Sequence, residues 1–310
     1  MAQRWLAATD ITDSLSVLDS KRPRPTSNAR HGECSGAARN LDTLVHVIKG
    51  ALIELLPART VRVARRVRST VRRALRLPDG SVVAPTRARV AKRYLRGTGI
   101  EIGALHFPTK MPPGAKARYV DRMSERDLRA QYPELRTHTF VHVDTIEDGE
   151  RLASLPAGSV DFIVANHVIE HCLDPIGTLE NWTRVIRPGG ILFMAVPHRE
   201  LTFDRDRAPT TWAHLALDRT DGGASSHWAH LLEWASLVER VADPTSRART
   251  LQEQRYSIHC HVWTDAEFRD FLERCRTEAG VDLSIVDVVP NEHEYIVVAR
   301  TSPRLPQAAS

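Results

Sequence analysis

Residues 184–197 read RVIRPGGILFMAVP. Its Pro-Gly-Gly turn leads into residues 191–197, an apolar run without a charged side chain. A second apolar run, VDFIVAN, occupies residues 160–166. Strands that read as nearly continuous apolar runs are buried on both faces, as in a parallel sheet. The two runs therefore predict the central strands of a parallel α/β sheet.

Further strands and helices alternate around these two runs. Short β-prone segments occupy residues 99–103 (GIEIG), 117–121 (ARYVD) and 140–144 (FVHVD). Helical patterns lie near residues 124–132 and 175–186. This alternation is typical of a doubly wound, Rossmann-like α/β domain.

The C-terminal part departs from the alternation. Thr264 is a good N-cap for a helix that ends near Gly280. Two β-prone runs follow at residues 283–289 and 294–300, with only residues 290–293 between them. Because parallel neighbours need a crossover of about a dozen residues or more, we expect an antiparallel hairpin here. The predicted sheet is thus mostly parallel with an antiparallel last strand.

Composition excludes several classes of protein. The 310 residues are 42% hydrophobic and 26% charged, which is ordinary for a soluble globular protein. No apolar run is long enough for a transmembrane helix, and the N-terminus lacks the apolar core of a secretory signal. Cys34, Cys172, Cys260 and Cys275 show no metal-like spacing and are too few for a disulfide scaffold, so we expect a cytoplasmic location. Histidines, including His259 and His261, make a metal site conceivable, but no carboxylate-rich set converges in the sequence, so we expect no metal.

Positive charge is concentrated in the N-terminal third. Residues 1–96 contain 20 Lys and Arg against 7 Asp and Glu, whereas the rest of the chain is mildly acidic. We expect residues 1–40 to be disordered, since residues 21–40 are polar with Pro and Gly. Residues 41–85 are predicted to form a basic amphipathic helical extension. The arginines that share one face of it are Arg62, Arg65, Arg66, Arg72, Arg73 and Arg76.

This basic face has three interpretations. It is a solvated face whose apolar stripe packs on the main domain or on a second protomer, or it docks on an anionic membrane surface, or it binds nucleic acid. Nucleic acid is disfavoured, because no aromatic residue interleaves the arginines from Arg59 to Arg76. The membrane interpretation places the protein peripherally at the inner membrane face.

The predicted strands end in residues that suit a nucleoside. In open α/β sheets, ligands bind beyond the carboxyl ends of the strands. The first run carries Glu101 and ends at Gly103, and the next three end at Asp121, Asp144 and Asn166. A carboxylate after the second strand can accept both ribose hydroxyls, although Asp and Asn also favour strand ends as turn formers. A dinucleotide is disfavoured, because the glycines of G-x-G-x-x-G are missing after Gly103.

GIEIG, YVD, VDFIVANHVIEH and RVIRPGGILFMAVP, in that order, resemble the class I S-adenosylmethionine-dependent methyltransferases. The resemblance extends from about Tyr94 to Arg300 and is nearest to a bacterial branch often associated with glycan biosynthesis. RVIRPGG is its most specific piece. It implies a methyltransferase domain over residues 86–303, a short tail at 304–310, and S-adenosylmethionine as the cofactor.

The resemblance also implies roles for single residues. Glu101 and Gly103 match the motif that approaches the methionine end of the cofactor. Asp121 matches the acid that holds the ribose hydroxyls, Asp144 the residue near the adenine, and Asn166 the position near the sulfonium and the acceptor.

One segment departs from the family pattern. Residues 104–116 contain three prolines instead of further glycines and a helix. The methionine carboxylate therefore needs another partner, such as Lys110 or Arg122.

Histidines supply candidate general bases for a hydroxyl acceptor. His167, His171 and His198 lie at or just after the ends of the fourth and fifth strands. Residues 198–262 form an insert, predicted to be a polar and helical lid, with several histidines and tryptophans that suit a hydroxylated acceptor.

Three functions remain open on the sequence. The leading hypothesis is O-methylation of a sugar, glycan or glycolipid, with a small-molecule or glycan acceptor. The second is a non-catalytic, methyltransferase-like binding module recruited to a membrane or a glycan-assembly complex. The third, a nicotinamide-dependent enzyme, is disfavoured by the missing glycines.

Overall fold

A computed structural model describes residues 80–135 and 137–303, which form a seven-stranded sheet with helices on both faces. The strands are β1 (Gly97–Ile102), β2 (Ala115–Asp121), β3 (Thr145–Ile146), β4 (Val160–Asn166), β5 (Ile186–Pro197), β6 (Ser284–Asn291) and β7 (Glu294–Arg300). The helices are α1 (Gly80–Tyr94), α2 (Glu125–Gln131), α3 (Pro175–Val185), α4 (Trp212–Asp221), α5 (His227–Glu233), α6 (Pro244–Glu253) and α7 (Asp265–Glu278).

The sheet has the order β3-β2-β1-β4-β5-β7-β6. Strands β1 to β5 pair in parallel. Strand β7 inserts antiparallel between β5 and β6. The predicted Rossmann-like sheet and its antiparallel end are therefore confirmed, and the ends of β1, β2, β3 and β4 meet at one edge.

The core lies on both faces of the sheet because the central strands bury both sets of side chains. On one face, Phe162 and Phe193 pack against Val90 and Ala91 of α1. On the other face, the core residues of α3 and α7 pack against β4, β5 and β7. This two-sided burial explains why β4 and β5 read as continuous apolar runs.

Helix boundaries follow their capping residues. Ser124 caps α2, Asp174 caps α3, and Thr264 forms a capping box with Glu267 at the start of α7. Gly280 follows α7 with a φ of +71°, the left-handed conformation that ends helices.

The prediction of a strand at residues 140–144 is wrong. Residues 140–144 form no strand, and β3 begins one residue later, at Thr145. Phe140 instead packs in a small cluster with Leu105, Leu128 and Tyr132. The Val141 N–H donates to the Leu105 carbonyl at 2.7 Å, so this apolar run tethers the loop after β1 rather than extending the sheet.

The remaining expectations about domain boundaries concern the two ends of the chain. The boundary that we placed between residues 85 and 86 falls inside α1, which continues through Pro85. The expected disorder of residues 1–40, the six arginines of the basic face and the tail at 304–310 lie outside the described residues.

The insert between β5 and α7 is mainly helical and has its own small core. It contains α4, α5 and α6, and a π-helical turn (Trp234–Val238) directly follows α5. Leu231, Trp234, Leu251 and Ile258 are the larger members of its core. Within the described residues, no helix has the length and apolar character needed to cross a membrane.

Candidate functional site

A cavity of about 90 Å³ lies at the carboxyl ends of β1 to β4. Its volume is below the range of about 300–1,000 Å³ that is usual for small-molecule sites. It is lined by Ile102, Gly103, Asp121, Arg122, Asp148, Gly149, Glu150, Val168, His171 and Cys172. A larger open cleft of about 640 Å³ on the outer side of α3 shares Glu150 with this cavity.

Gly103 and Asp121 line this cavity, as the sequence predicted. Gly103 has a φ of +64°, and a Cβ there would meet only Val168, at 3.7 Å. Glycine is needed here for its backbone conformation more than for space. Asp121 ends β2 and accepts a hydrogen bond from the Arg122 N–H at 2.7 Å. Burial raises the pKa of its carboxyl group.

Glu101 and Asn166 are absent from the cavity lining and hold the loop after β1. The buried Glu101 carboxylate accepts bonds from the backbone N–H and the hydroxyl of Thr109, each at 2.9 Å. The Asn166 amide donates to the same hydroxyl at 2.7 Å and to Glu101 at 3.3 Å. Burial raises the pKa of Glu101 to about 7. This network fixes the proline-containing loop, which forms no helix in the structure.

Asp144 is not placed at the cavity. It precedes β3, and its carboxylate accepts the backbone N–H of Tyr119 at 2.7 Å. Asp148, which follows β3, lines the cavity instead. The signal for Asp148 in the sequence is an Asp-Gly pair after a short β-prone segment, and the longer apolar run at residues 140–144 obscured it.

His171 is the candidate base that reaches the cavity. Its Nδ1 lies 2.8 Å from the Ile258 carbonyl oxygen, which can only accept, so Nδ1 carries the proton. Its Nε2 then carries a lone pair; this atom is buried and has no hydrogen-bond partner among the described residues. Burial lowers the pKa of His171 well below its usual value, so the ring is neutral near pH 7.

Two further side chains, missed at the level of sequence, face the same nitrogen. The Glu170 Oε1 lies 3.9 Å from the His171 Nε2 and 4.0 Å from the His259 Nε2. The His259 Nδ1 is bound to the Asp204 carboxylate at 2.7 Å. Glu170 is buried, and burial raises its pKa to about 7. These three side chains offer ligand atoms within 4.8 Å of one another, so they could hold a metal ion as well as a proton.

His167 and His198 have other surroundings. The His167 Nε2 binds the Glu294 carboxylate at 2.7 Å, and Glu294 also forms a buried ion pair with Arg87 of α1. Burial lowers the pKa of His167 to about 4. The backbone N–H of His198 donates to the His293 carbonyl at 2.8 Å, and its ring packs edge-on against Tyr295. Neither histidine lines the cavity.

The residues that line the cavity suit a ligand with hydroxyl, amine and carboxylate groups. Asp121 and Asp148 can accept from hydroxyl or amine groups, and Gly103 and Gly149 allow a close approach of the backbone. Arg122 lines the cavity with a buried, unpartnered Nε, so it can pair with a carboxylate. Lys110, the other proposed partner, is exposed and does not line the cavity.

Comparison with known proteins found one family match and several similar solved structures. Residues 97–194 match a family described as a methyltransferase domain. No curated protein matches the chain. A SAM-dependent methyltransferase from Aquifex aeolicus is 17% identical, with a TM-score of 0.41 over 73% of this chain and 95% of its own. A possible histamine N-methyltransferase from Thermotoga maritima is 14% identical, with a TM-score of 0.40 over 72% and 90%.

Proposed function

We propose that the methyltransferase domain matched at residues 97–194 methylates a hydroxyl group of a sugar, glycan or glycolipid, with S-adenosylmethionine, the cofactor that this domain implies, as the methyl donor. The observation that carries the proposal is the cavity that holds Asp121 and Asp148 together with His171. When bound, the cofactor supplies an electrophilic methyl group. The protein must then bind the cofactor, align a nucleophile and accept its proton.

The residues divide these tasks. Asp121 binds the ribose hydroxyls, and Asp148 takes the adenine role that the sequence assigned to Asp144. His171 accepts the proton of the acceptor hydroxyl at Nε2, because the Ile258 carbonyl holds its other nitrogen in the protonated form. Glu170 and His259 lie next to that nitrogen and can stabilise the resulting imidazolium.

The hydroxylated acceptor is inferred from the family resemblance and the insert. Trp234 and Trp263 are buried in hydrophobic cores, and Trp212 packs against Arg274. Trp228 remains 36% exposed, so it is the tryptophan of the insert that is available to stack on a sugar ring.

Calorimetric titration with S-adenosylmethionine and its demethylated product tests the cofactor. We expect micromolar binding by the wild-type protein and a loss of about 10- to 100-fold in Asp121→Asn, since a hydrogen bond to a charged group contributes about 1.5–3 kcal/mol. Asp144→Asn is the matched control and should bind as the wild type does. If folded wild-type protein binds neither compound, the non-catalytic module becomes the better proposal.

An acceptor screen tests the reaction itself. Transfer of a labelled methyl group to glycans or glycolipids, but not to amine or carboxylate acceptors, would support the proposed class. Methylation of an amine instead would overturn the acceptor while leaving the cofactor assignment intact.

We further propose that the basic face at residues 62–76 docks the protein on an anionic membrane, where it would act as a peripheral protein. The proposal is supported by arginine clustering alone, and a polybasic segment gains about 1 kcal/mol per basic residue near such a surface. Full-length protein should co-sediment with vesicles that contain phosphatidylserine. Replacing Arg62, Arg65, Arg66, Arg72, Arg73 and Arg76 by Gln should abolish this; unchanged sedimentation would contradict the proposal.

A further inference from the structure

Four potential metal ligands converge inside the insert, away from the residues that line the cavity. His214 and Asp218 lie one turn apart on α4, His230 lies on α5, and His261 lies in the segment that leads to α7. Their ligand atoms all lie within 4.8 Å of one another. His230, His261 and Asp218 are buried, whereas the His214 side chain is 33% exposed.

The separations match those around a tetrahedral ion. The Nε2 atoms of His214 and His230 are 3.2 Å apart, and the Asp218 Oδ2 lies 3.2 Å from the His214 Nε2. The His261 Nε2 lies 3.7 Å from the same oxygen. Zinc bonds of about 2.0–2.1 Å place neighbouring ligands of a tetrahedron about 3.3 Å apart. Little movement of the side chains would therefore be needed to coordinate an ion.

Unpartnered polar atoms meet at this point. The Asp218 Oδ2 and the His261 Nε2 have no hydrogen-bond partner among the described residues, although both residues are fully buried. The other Asp218 oxygen accepts the Ser226 hydroxyl at 2.5 Å, which turns Oδ2 toward the histidines. This oxygen lies at ion-pair distance from the His214 Nε2 but makes no hydrogen bond in the described part of the chain, and burying a carboxylate oxygen without one is costly. A cation bound by all four groups removes that cost.

Positive charge from the nearby Arg207 does not oppose such a cation strongly. Arg207 is paired with Asp204 at 2.9 Å and with Glu233 at 2.7 Å. These two carboxylates therefore compensate the charge of Arg207 and reduce its repulsion of a cation in the cluster.

We propose that His214, Asp218, His230 and His261 bind a structural Zn²⁺ ion that fastens the insert. Three imidazoles and a carboxylate suit Zn²⁺, and four protein ligands leave no open position, as is usual in structural sites. The ion would join α4 and α5 to the segment that carries His259 and Trp263. Since the Cys260 and His261 N–H groups both donate to the Glu170 carbonyl, it would also steady the residues beside His171.

The second cluster, Glu170, His171 and His259, is a weaker metal site. It offers three ligand atoms, and the Glu170 Oε1 lies 3.9 and 4.0 Å from the two nitrogens, further than a tetrahedral edge. It therefore serves as the competing location in the experiment.

Metal analysis of the untagged, full-length protein tests the proposal. The protein is stripped with a chelator, incubated with Zn²⁺, desalted and analysed by mass spectrometry for metals. We expect roughly one Zn²⁺ per chain in the wild type, and its retention in Asp221→Asn, a matched change on the same helix. Asp218→Asn keeps the side-chain shape and should lose the metal.

Two further variants make the result decisive. His214→Asn changes the partly exposed ligand, and it should lose zinc even if Asp218→Asn fails to fold. Bound Co²⁺ should give the intense visible absorption of a tetrahedral site, and Zn²⁺ should raise the Tm of the wild type but not of His214→Asn. The proposal is overturned if the wild type takes up no zinc, or if His259→Asn loses the metal while His214→Asn retains it.

Discussion

At the residue scale, the orientation of a single imidazole decides how the site can act. The Ile258 carbonyl fixes the protonated nitrogen of His171, and the other nitrogen is left as an acceptor. A neutral imidazole with one directed lone pair is the form that a general base requires. His167 lies four residues earlier in the chain. It cannot act in this way because its Nε2 is hydrogen-bonded to the Glu294 carboxylate.

Replacing His171 should therefore separate chemistry from binding. In His171→Asn, the amide keeps a donor near the position of Nδ1 and removes Nε2. We expect methyl transfer to fall by about 10²- to 10⁴-fold, the usual contribution of a general base, while affinity for the cofactor product stays within a few-fold of wild type. Single-turnover transfer and calorimetry measure the two quantities.

His198→Asn is the control, because His198 does not line the cavity. An equal loss of transfer in both variants would indicate a structural effect of the substitutions and would remove His171 as the base.

Some residues of the candidate site could be predicted from the sequence, and others could not. Gly103 and Asp121 could be predicted, since each follows a well-marked strand and strand ends meet at one edge of the sheet. Asp148 could not, because β3 has only two residues and a longer apolar run precedes it. The partners of Glu101, Asn166 and His167 depend on tertiary contacts that no local pattern records.

At the element scale, the loop after β1 is held by a hydrogen-bond network in place of a helix. Thr109 connects Glu101 of β1 with Asn166 of β4, and its side chain both donates and accepts. Three prolines prevent a regular helix in this segment. The network thus replaces the helical hydrogen bonds that would otherwise fix the loop at the end of β1.

Thr109→Val should loosen this loop. The substitution keeps the shape but removes the hydroxyl, which leaves two buried polar groups with fewer partners. We expect a loss of about 1–3 kcal/mol in the free energy of unfolding, measured by urea titration, together with weaker cofactor binding. Thr139→Val, at an exposed position, should change neither quantity; comparable losses in both variants would argue against the network.

Helix α1 is tied to the sheet by buried charges. Arg87 of α1 pairs with Glu294 of β7, which also accepts from His167 and from Asn291 at 2.6 Å. These bonds and the positive charge of Arg87 hold the pKa of Glu294 well below its usual range despite burial. The fold therefore depends on an ionised carboxylate at Glu294, the first residue of β7.

Glu294→Gln should be strongly destabilising. It leaves the Arg87 guanidinium buried without a counter-charge, and we expect a loss of about 3–5 kcal/mol in urea unfolding near neutral pH. Glu278→Gln breaks an exposed pair with Arg274 and should cost no more than about 1 kcal/mol. Similar costs for the two variants would contradict the role of the buried network.

At the scale of the whole molecule, burial of neutral histidines links stability to pH. Burial lowers the pKa of both His106 and His167 to about 4. Both His106 ring nitrogens lack hydrogen-bond partners in the part of the chain that the structure describes, and the ring packs against His138 and Phe140. The histidines are therefore neutral in the folded chain under conditions in which they are charged when unfolded.

The sign of the effect follows from proton uptake. Above pH of about 6.5, neither state binds a proton at these sites. As the pH falls from about 6.5 to about 4, these histidines bind protons in the unfolded chain but not in the folded chain. The free energy of unfolding therefore decreases. Each such histidine adds a slope of up to about 1.4 kcal/mol per pH unit.

Removing one of these histidines should reduce the sensitivity to acid. His106→Leu should make the free energy of unfolding less dependent on pH between about 4 and about 6.5. The slope should decrease by up to about 1.4 kcal/mol per pH unit, the value for one proton. Urea titrations across this range measure it. Thr139→Leu, at an exposed position without a titratable group, is the control and should keep the wild-type slope. If both variants keep that slope, His106 is already charged in the folded protein, and the loop after β1 is more open to water than its packing against Phe140 indicates.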